Sequence, residues 1–196
     1  HTADWHLGRI FYGQYLTDDQ AHVLEHQFFT ILKEEKIDGI LLAGDVFDRA
    51  VPPIEAIGLW DSIITRLAMD YKVPLFVVSG NHDGAERLEV GRSMLCESGI
   101  HIWGSPHHAL QPFEFEGFDG RVAICPMPFS EPRRIGDALG LNSSESKPVD
   151  TDTAEDTLFS YVDDKNQEAG ALNLHNYDQM YQAWSDYLYK QVPKQM

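Results

Sequence analysis

The chain is poor in positive charge: 15 Lys and Arg stand against 31 Asp and Glu, for a formal net charge of −16. Binding to a phosphate backbone draws on clustered Lys and Arg, so this balance argues against DNA as an unaided partner. Part of the excess falls in 142–170, where Glu145, Asp150, Asp152, Glu155, Asp156, Asp163, Asp164 and Glu168 meet only Lys147 and Lys165. That stretch is also poor in apolar residues and reads as an exposed acidic insertion. Cysteine is scarce: Cys96 and Cys125 are the only two, too few for a disulfide scaffold, and both are expected to be buried free thiols of a reducing cytosol. No apolar run approaches the roughly 18 residues of a membrane-spanning helix, and no signal peptide is expected. A starting Met is absent, and His1-Thr2-Ala3 reads as the end of a first strand whose beginning is missing. The sequence therefore predicts one incomplete domain over 1–196.

What is present is a β-α-β pattern. The runs 37–43 and 73–79 are near-continuously apolar and end at Gly44 and Gly80, as strands of a buried parallel sheet do. A helix is expected over 17–35, with Thr17 as N-cap and an apolar stripe of Val23, Leu24, Phe28, Ile31 and Leu32. A second spans 53–70, with Pro53 in its first turn and Ile57, Trp60, Ile64 and Leu67 on one face. A third covers 85–97 and stops near Gly99. This alternation specifies a layered α/β domain. Beyond it, 100–103, 112–116 and 122–125 read as short strands of a meander on a second sheet or its edge, followed by a short helix over 133–139. A final amphipathic helix over 176–191 places Met180, Tyr181, Trp184 and Leu188 on one side.

Three motifs carry the chemistry: Asp4-Trp5-His6, Gly44-Asp45-Val46-Phe47-Asp48 and Gly80-Asn81-His82-Asp83, each directly after a strand. In open α/β sheets ligands bind beyond the carboxyl ends of strands. Asp4 and His6, two residues apart, can face the same side and grip one divalent metal. Asp45, on a tight turn, can give one oxygen to each of two metals in a two-metal site. Asn81 offers a neutral carbonyl oxygen to the second. His82 suits an acid or electrostatic group aimed at a phosphate and its leaving oxygen. Asp48 is expected to accept from the other ring nitrogen of His82 and hold its tautomer. Arg9, Arg49 and Arg87 each follow a motif closely and are candidates for a basic rim that contacts phosphate or DNA.

These motifs resemble the calcineurin-like metallophosphoesterase superfamily. The longer strings around them, with Cys125-Pro126-Met127-Pro128-Phe129 and Glu131-Pro132-Arg133, are similar to its bacterial DNA nuclease subunits. The resemblance implies a four-layer α-β-β-α sandwich and two divalent ions, Mn²⁺ first and Mg²⁺, Fe²⁺ or Zn²⁺ as alternatives. It implies double-strand exonuclease and hairpin endonuclease activity in DNA repair and recombination, on DNA ends and hairpins, in the bacterial cytoplasm at the nucleoid. It also implies a coiled-coil ATPase partner, supplying positive surface, and a homodimer within a heterotetramer.

The chain departs from the family in one respect. Members complete the metal site with a later lone His and a Gly-His-x-His motif, yet no Gly-His dipeptide occurs here, and His101, His107, His108 and His175 are expected to be surface or locally bonded. The resemblance thus predicts part of a longer nuclease, inactive and mostly metal-free by itself. Three other readings compete. His22-Val23-Leu24-Glu25-His26 matches the H-x-x-E-H pattern of inverted zinc peptidases, in which two helical histidines bind zinc. The acidic charge suits a phosphatase or phosphodiesterase acting on small esters. A non-catalytic module of the same fold is the third.

Overall fold

The computed structural model describes residues 1–141 and 176–192. At its centre is a parallel sheet ordered β3 (Ile40–Ala43), β4 (Leu75–Val78), β5 (Ile100–Trp103), with Ile40, Leu75 and Ile100 in register. Thr2 bridges Leu42 in parallel on the other side of β3, so the expected first strand lies there as a short stretch. A small ribbon of β1 (Ile10–Phe11) and β2 (Gln14–Tyr15) follows it. β5 was expected in a meander with the hairpin, but it extends the parallel sheet. The cause lies in its side chains: Ile100 and Ile102 are buried in the helix-side core, while Trp103 joins the core on the other face.

One face of the sheet is covered by helices. α1 (Thr17–Val23), a π-helical turn over Leu24–Phe28 and α2 (Phe29–Glu34) follow each other without a break. The π turn rotates the helix face relative to an even α repeat. As a result Leu24, Phe29 and Leu32 are buried, whereas Val23 and Ile31 of the expected stripe are exposed. Leu16, not Thr17, occupies the N-cap position, and no side chain caps the helix. α3 (Ile54–Arg66), extended by a π turn over Leu67–Tyr71, buries Ala56, Leu59, Trp60, Ile63 and Ile64 and leaves Ile57 outside. Pro53 is its extended N-cap residue rather than part of its first turn. The third expected helix is interrupted: α4 (Ala85–Leu88) and α5 (Arg92–Leu95) are separated at Gly91, which adopts φ +78°. A 3-10 turn over Cys96–Ser98 then ends at left-handed Gly99, the expected stop.

The other face packs Phe76 and Trp103 against an antiparallel hairpin, β6 (Phe113–Gly117) and β7 (Gly120–Ile124), and against α6 (Pro132–Ala138) and α7 (Tyr177–Gln191). Helices, parallel sheet, hairpin and C-terminal helices make an α-β-β-α sandwich, as the family resemblance implied. Asn176 caps α7 by accepting from the Gln179 N–H at 2.8 Å. Met180, Trp184 and Leu188 are buried as expected, but Tyr181 lies off that face and is exposed. Both cysteines are free and exposed rather than buried, Cys96 in the 3-10 turn and Cys125 just past β7. The expected acidic insertion over 142–170 and His175 lie outside the described residues. Among the described residues no helix is long and apolar enough to cross a membrane.

Candidate metal centre

The site grows from two glycines. Gly44 ends β3 at φ +83°, and Gly80 follows β4 in contact with Asp45. A Cβ on Gly80 would fall 2.0 Å from Asp45 Oδ1 and 2.3 Å from its amide nitrogen, so only glycine lets the two loops meet. The segment after Thr2 runs beside the 44–46 turn, with Asp4, His6 and Leu7 N–H groups donating to the Gly44, Asp45 and Val46 carbonyls at 3.1, 2.9 and 2.9 Å. From α1, the Gln20 side chain donates to the Trp5 and His6 carbonyls at 3.0 and 2.7 Å and accepts from Gly8 N–H at 3.1 Å. Within this frame Asp4, His6 and Asp45 are all left-handed, at φ +54°, +44° and +47°. Such conformations cost non-glycine residues on the order of 1 kcal/mol or more each and gather at functional sites.

The side chains converge. His6 Nε2 lies 3.7 Å from Asp45 Oδ2 and 3.9 Å from Asp4 Oδ1. Both gaps are too long for hydrogen bonds and close to the span of two ligands on one ion, about 3–4 Å for bonds of about 2.1 Å. His82 joins from the β4 loop, its ring 4.9 Å from that of His6 and edge to face with it. Donor atoms of His6, Asp45 and His82 all lie within 4.8 Å of one another, and this is the only such group of three or more His, Cys, Asp or Glu among the described residues. Imidazole with carboxylate is a donor set that divalent first-row metals accept, so the residues fit a metal.

Asp48 is where expectation and geometry part. Its carboxylate faces His6, with Oδ1 3.4 Å from the ring Nδ1, rather than His82. That Nδ1 is buried and out of line for a hydrogen bond. His82 Nδ1 instead donates to the Asp48 main-chain carbonyl at 2.9 Å. A carbonyl only accepts, so Nδ1 carries a proton and the neutral ring keeps its lone pair on Nε2. The Asp48 backbone thus sets the His82 tautomer, and its side chain stands behind His6.

Two supports escaped the sequence reading. Asp83 accepts from the N–H groups of Val46 at 3.1 Å, Phe47 at 2.9 Å and Gly80 at 2.9 Å, and so ties the β3 and β4 loops together. Burial pushes its carboxyl above the ordinary range; those three bonds pull it down and the Asp45 charge pushes it up. Its place at the end of Gly-Asn-His-Asp was the signal available. For Gln20, on a helix and distant in sequence from the loop it clasps, no signal existed. The Asp45 carboxylate is itself oriented, since its Oδ1 accepts the His82 N–H at 2.9 Å.

Asn81 is exposed and lines a groove with Gly80, Phe129 and Ser130. Arg9 and Arg49 are exposed beside the site, and Arg87 donates to the Ala50 carbonyl at 3.1 Å. His101 stacks on Phe76 with centroids 5.1 Å apart, and burial lowers its pKa. His108 Nδ1 lies 2.8 Å from the Glu89 carboxylate, a local bond as expected, and His107 is exposed. His22 and His26 sit on exposed helix surface with rings 4.5 Å apart and no third donor grouped with them, so the peptidase pattern lacks the extra ligand it needs among the described residues.

A sequence model described as calcineurin-like phosphoesterase matches residues 1–195. The chain is also 38% identical over 130 residues to the SbcD component of the SbcCD nuclease of Staphylococcus epidermidis, an alignment covering 66% of this chain and 33% of that protein. The chain thus spans about a third of the length of the relative it matches. With motif, geometry and match in agreement, the chain belongs to the calcineurin-like phosphoesterase family.

Proposed function

We propose that this chain carries the phosphodiester-cleaving centre of an SbcD-type DNA nuclease subunit, a double-strand exonuclease and hairpin endonuclease of DNA repair and recombination. The observation that carries the reading is the convergence of Asp4, His6, Asp45 and His82 beyond the carboxyl ends of neighbouring strands. Similarity to a protein named as a nuclease supports a nucleic acid over other phosphodiesters, and the resemblance of the motifs points to DNA.

In this reading Asp4, His6 and Asp45 hold one divalent ion, and Asp45 with Asn81 holds a second. When bound, the ions, Mn²⁺ foremost and Mg²⁺, Fe²⁺ or Zn²⁺ otherwise, supply positive charge to the phosphate and lower the pKa of water. The chain's own residues do the rest. The main-chain bond from His82 to the Asp48 carbonyl fixes the ring, so that a second proton on Nε2 is the one available to the leaving oxygen. The Asp48 carboxylate steadies His6 from behind. Arg9, Arg49 and Arg87 meet the flanking phosphates.

The net charge of −16 argues for a basic partner, and an SbcC-type coiled-coil ATPase is the one proposed. Exposed Ile57, Val90 and Met94 line one groove at α3 and α5, a candidate surface for a homodimer within that complex. The same acidity favours the second reading, a phosphatase or phosphodiesterase of small esters.

The complete gene product decides between them: with Mn²⁺, degradation of duplex DNA ends supports the nuclease, and turnover of bis-p-nitrophenyl phosphate alone supports the second reading. His82→Ala is expected to slow cleavage on the order of 100- to 1000-fold while metal content stays nearly constant. Loss of metal together with activity would make His82 a ligand instead.

A further inference from the structure

A polar groove of about 470 Å³ is lined by Gly80, Asn81, Arg87, Phe129, Ser130 and Arg134. It adjoins the β4 loop because the Phe129 N–H donates to the Ser79 carbonyl at 2.8 Å. Ser130 is 3% exposed, and its hydroxyl has no hydrogen-bond partner among the described residues. A buried hydroxyl left unmatched costs free energy, which an acceptor entering the groove would recover.

From Phe129 a row of aromatic rings continues outward. The Tyr177 ring stands 6.3 Å from that of Phe129 at 29°, and Tyr181 follows 6.5 Å further at 30°. All three are exposed, at 40%, 45% and 40%, although Met180, Trp184 and Leu188 already furnish the buried face of α7. Core packing therefore does not account for these rings. Exposed faces in roughly parallel succession are what sequence-tolerant binding of unpaired bases uses. Positive charge is scarce here: Arg134 is paired with Glu86 at 2.8 Å and Glu131 adds a negative charge, so stacking carries most of the binding, and Arg87, held by the neutral Ala50 carbonyl, keeps its charge for a phosphate.

Resting on the nuclease reading of the adjoining centre, we propose that this groove and ring row form a track for a single-stranded nucleic-acid end. Bases stack on Phe129, Tyr177 and Tyr181, and the Ser130 hydroxyl donates to a phosphate oxygen beside Asn81. A duplex end reaching the metal centre would then part its last base pairs, with ring stacking offsetting the few kcal/mol of unstacking.

The test is equilibrium binding by the complete gene product, in chelator and at physiological salt, which screens repulsion from the acidic chain, of a short single strand carrying 2-aminopurine near its end. The expected result is quenched fluorescence on binding and a loss of about tenfold in affinity for Phe129→Ala and for Tyr177→Ala, with Tyr177→Phe close to wild type. Wild-type-like affinity in both alanine variants, equal loss in Tyr177→Phe, or no single-strand binding by the wild type would each overturn the track. If the alanine variants bind the strand normally but no longer retain the coiled-coil ATPase, the row is a protein contact and the proposal falls. The nuclease reading is scored separately, by Mn²⁺-dependent hydrolysis in the wild type. Ring-dependent binding without any hydrolysis sinks that reading alone, and hydrolysis with ring-independent binding sinks the track alone.

Discussion

The loops beyond β3 and β4 and the second core around α7 are built in different ways. The loops are joined by polar bonds between residues far apart in sequence: Asp83 to Val46 and Phe47, His82 N–H to Asp45, Gln20 to the 5–8 turn. They also keep Asp4, His6 and Asp45 left-handed. In the second core Met180, Trp184 and Leu188 lie buried with Phe76, Trp103 and Ile135, in regular elements and under a side-chain cap from Asn176. Trp184 Nε1 is buried there without a partner among the described residues. The loops hold strain in order to aim polar groups at one point, whereas the core only has to exclude water. Damage to the loops should therefore act through lost acceptors and backbone conformation, and damage to the core through volume.

The largest effect expected from this contrast is at Asp83. Replacing it by Ala leaves three main-chain N–H groups without their acceptor, each worth about 1–3 kcal/mol when stranded away from water. A loss of about 3 kcal/mol or more in urea unfolding is expected, with Asp83→Asn losing less because one oxygen remains. A loss below about 1 kcal/mol for the Ala variant would mean that the loops hold together without the clamp.

Much of this was legible beforehand, and the reasons differ by region. The motifs placed Asp4, His6, Asp45 and His82 correctly at strand ends, because a parallel sheet fixes where its carboxyl-end loops must gather. The Asp48 carboxylate was assigned to the wrong histidine, since the spacing in Gly-Asp-Val-Phe-Asp does not reveal whether its side chain or its carbonyl meets His82. The first helix was found, but Val23 and Ile31 were misplaced because the π turn is set by packing and not by any residue that announces it. β5 was misread because Gly, Pro and His surround the 100–125 strands alike, and only packing against β4 assigns the first of them to the parallel sheet.

Backbone strain supplies a smaller test, with the opposite sign. Asp4 is exposed and held at φ +54°. Glycine tolerates that conformation freely, so Asp4→Gly should stabilise the metal-free protein by up to about 1 kcal/mol, offset in part by the greater freedom of the unfolded chain. The same change removes a donor, so metal retention should fall. Thermal unfolding in chelator reads the first effect and metal content after gel filtration the second. A lower midpoint for Asp4→Gly would show that the left-handed turn is not a source of strain and that the contrast with the second core rests on hydrogen bonds alone.

The smallest effect is expected in the second core, at its unpartnered indole. Trp184 is wholly buried, so Trp184→Phe removes apolar contact and leaves a void, at a cost of about 1–2 kcal/mol. It also removes an N–H that finds no acceptor among the described residues, which restores about 1–3 kcal/mol. The two terms nearly cancel, so urea unfolding should place the variant within about 1 kcal/mol of the wild type. A loss of several kcal/mol would mean that the indole N–H is satisfied in solution and that this core, like the loops, depends on a placed polar bond. A gain above about 1 kcal/mol would mean that the orphaned donor outweighs the packing, and that the two regions differ even more than their geometry suggests.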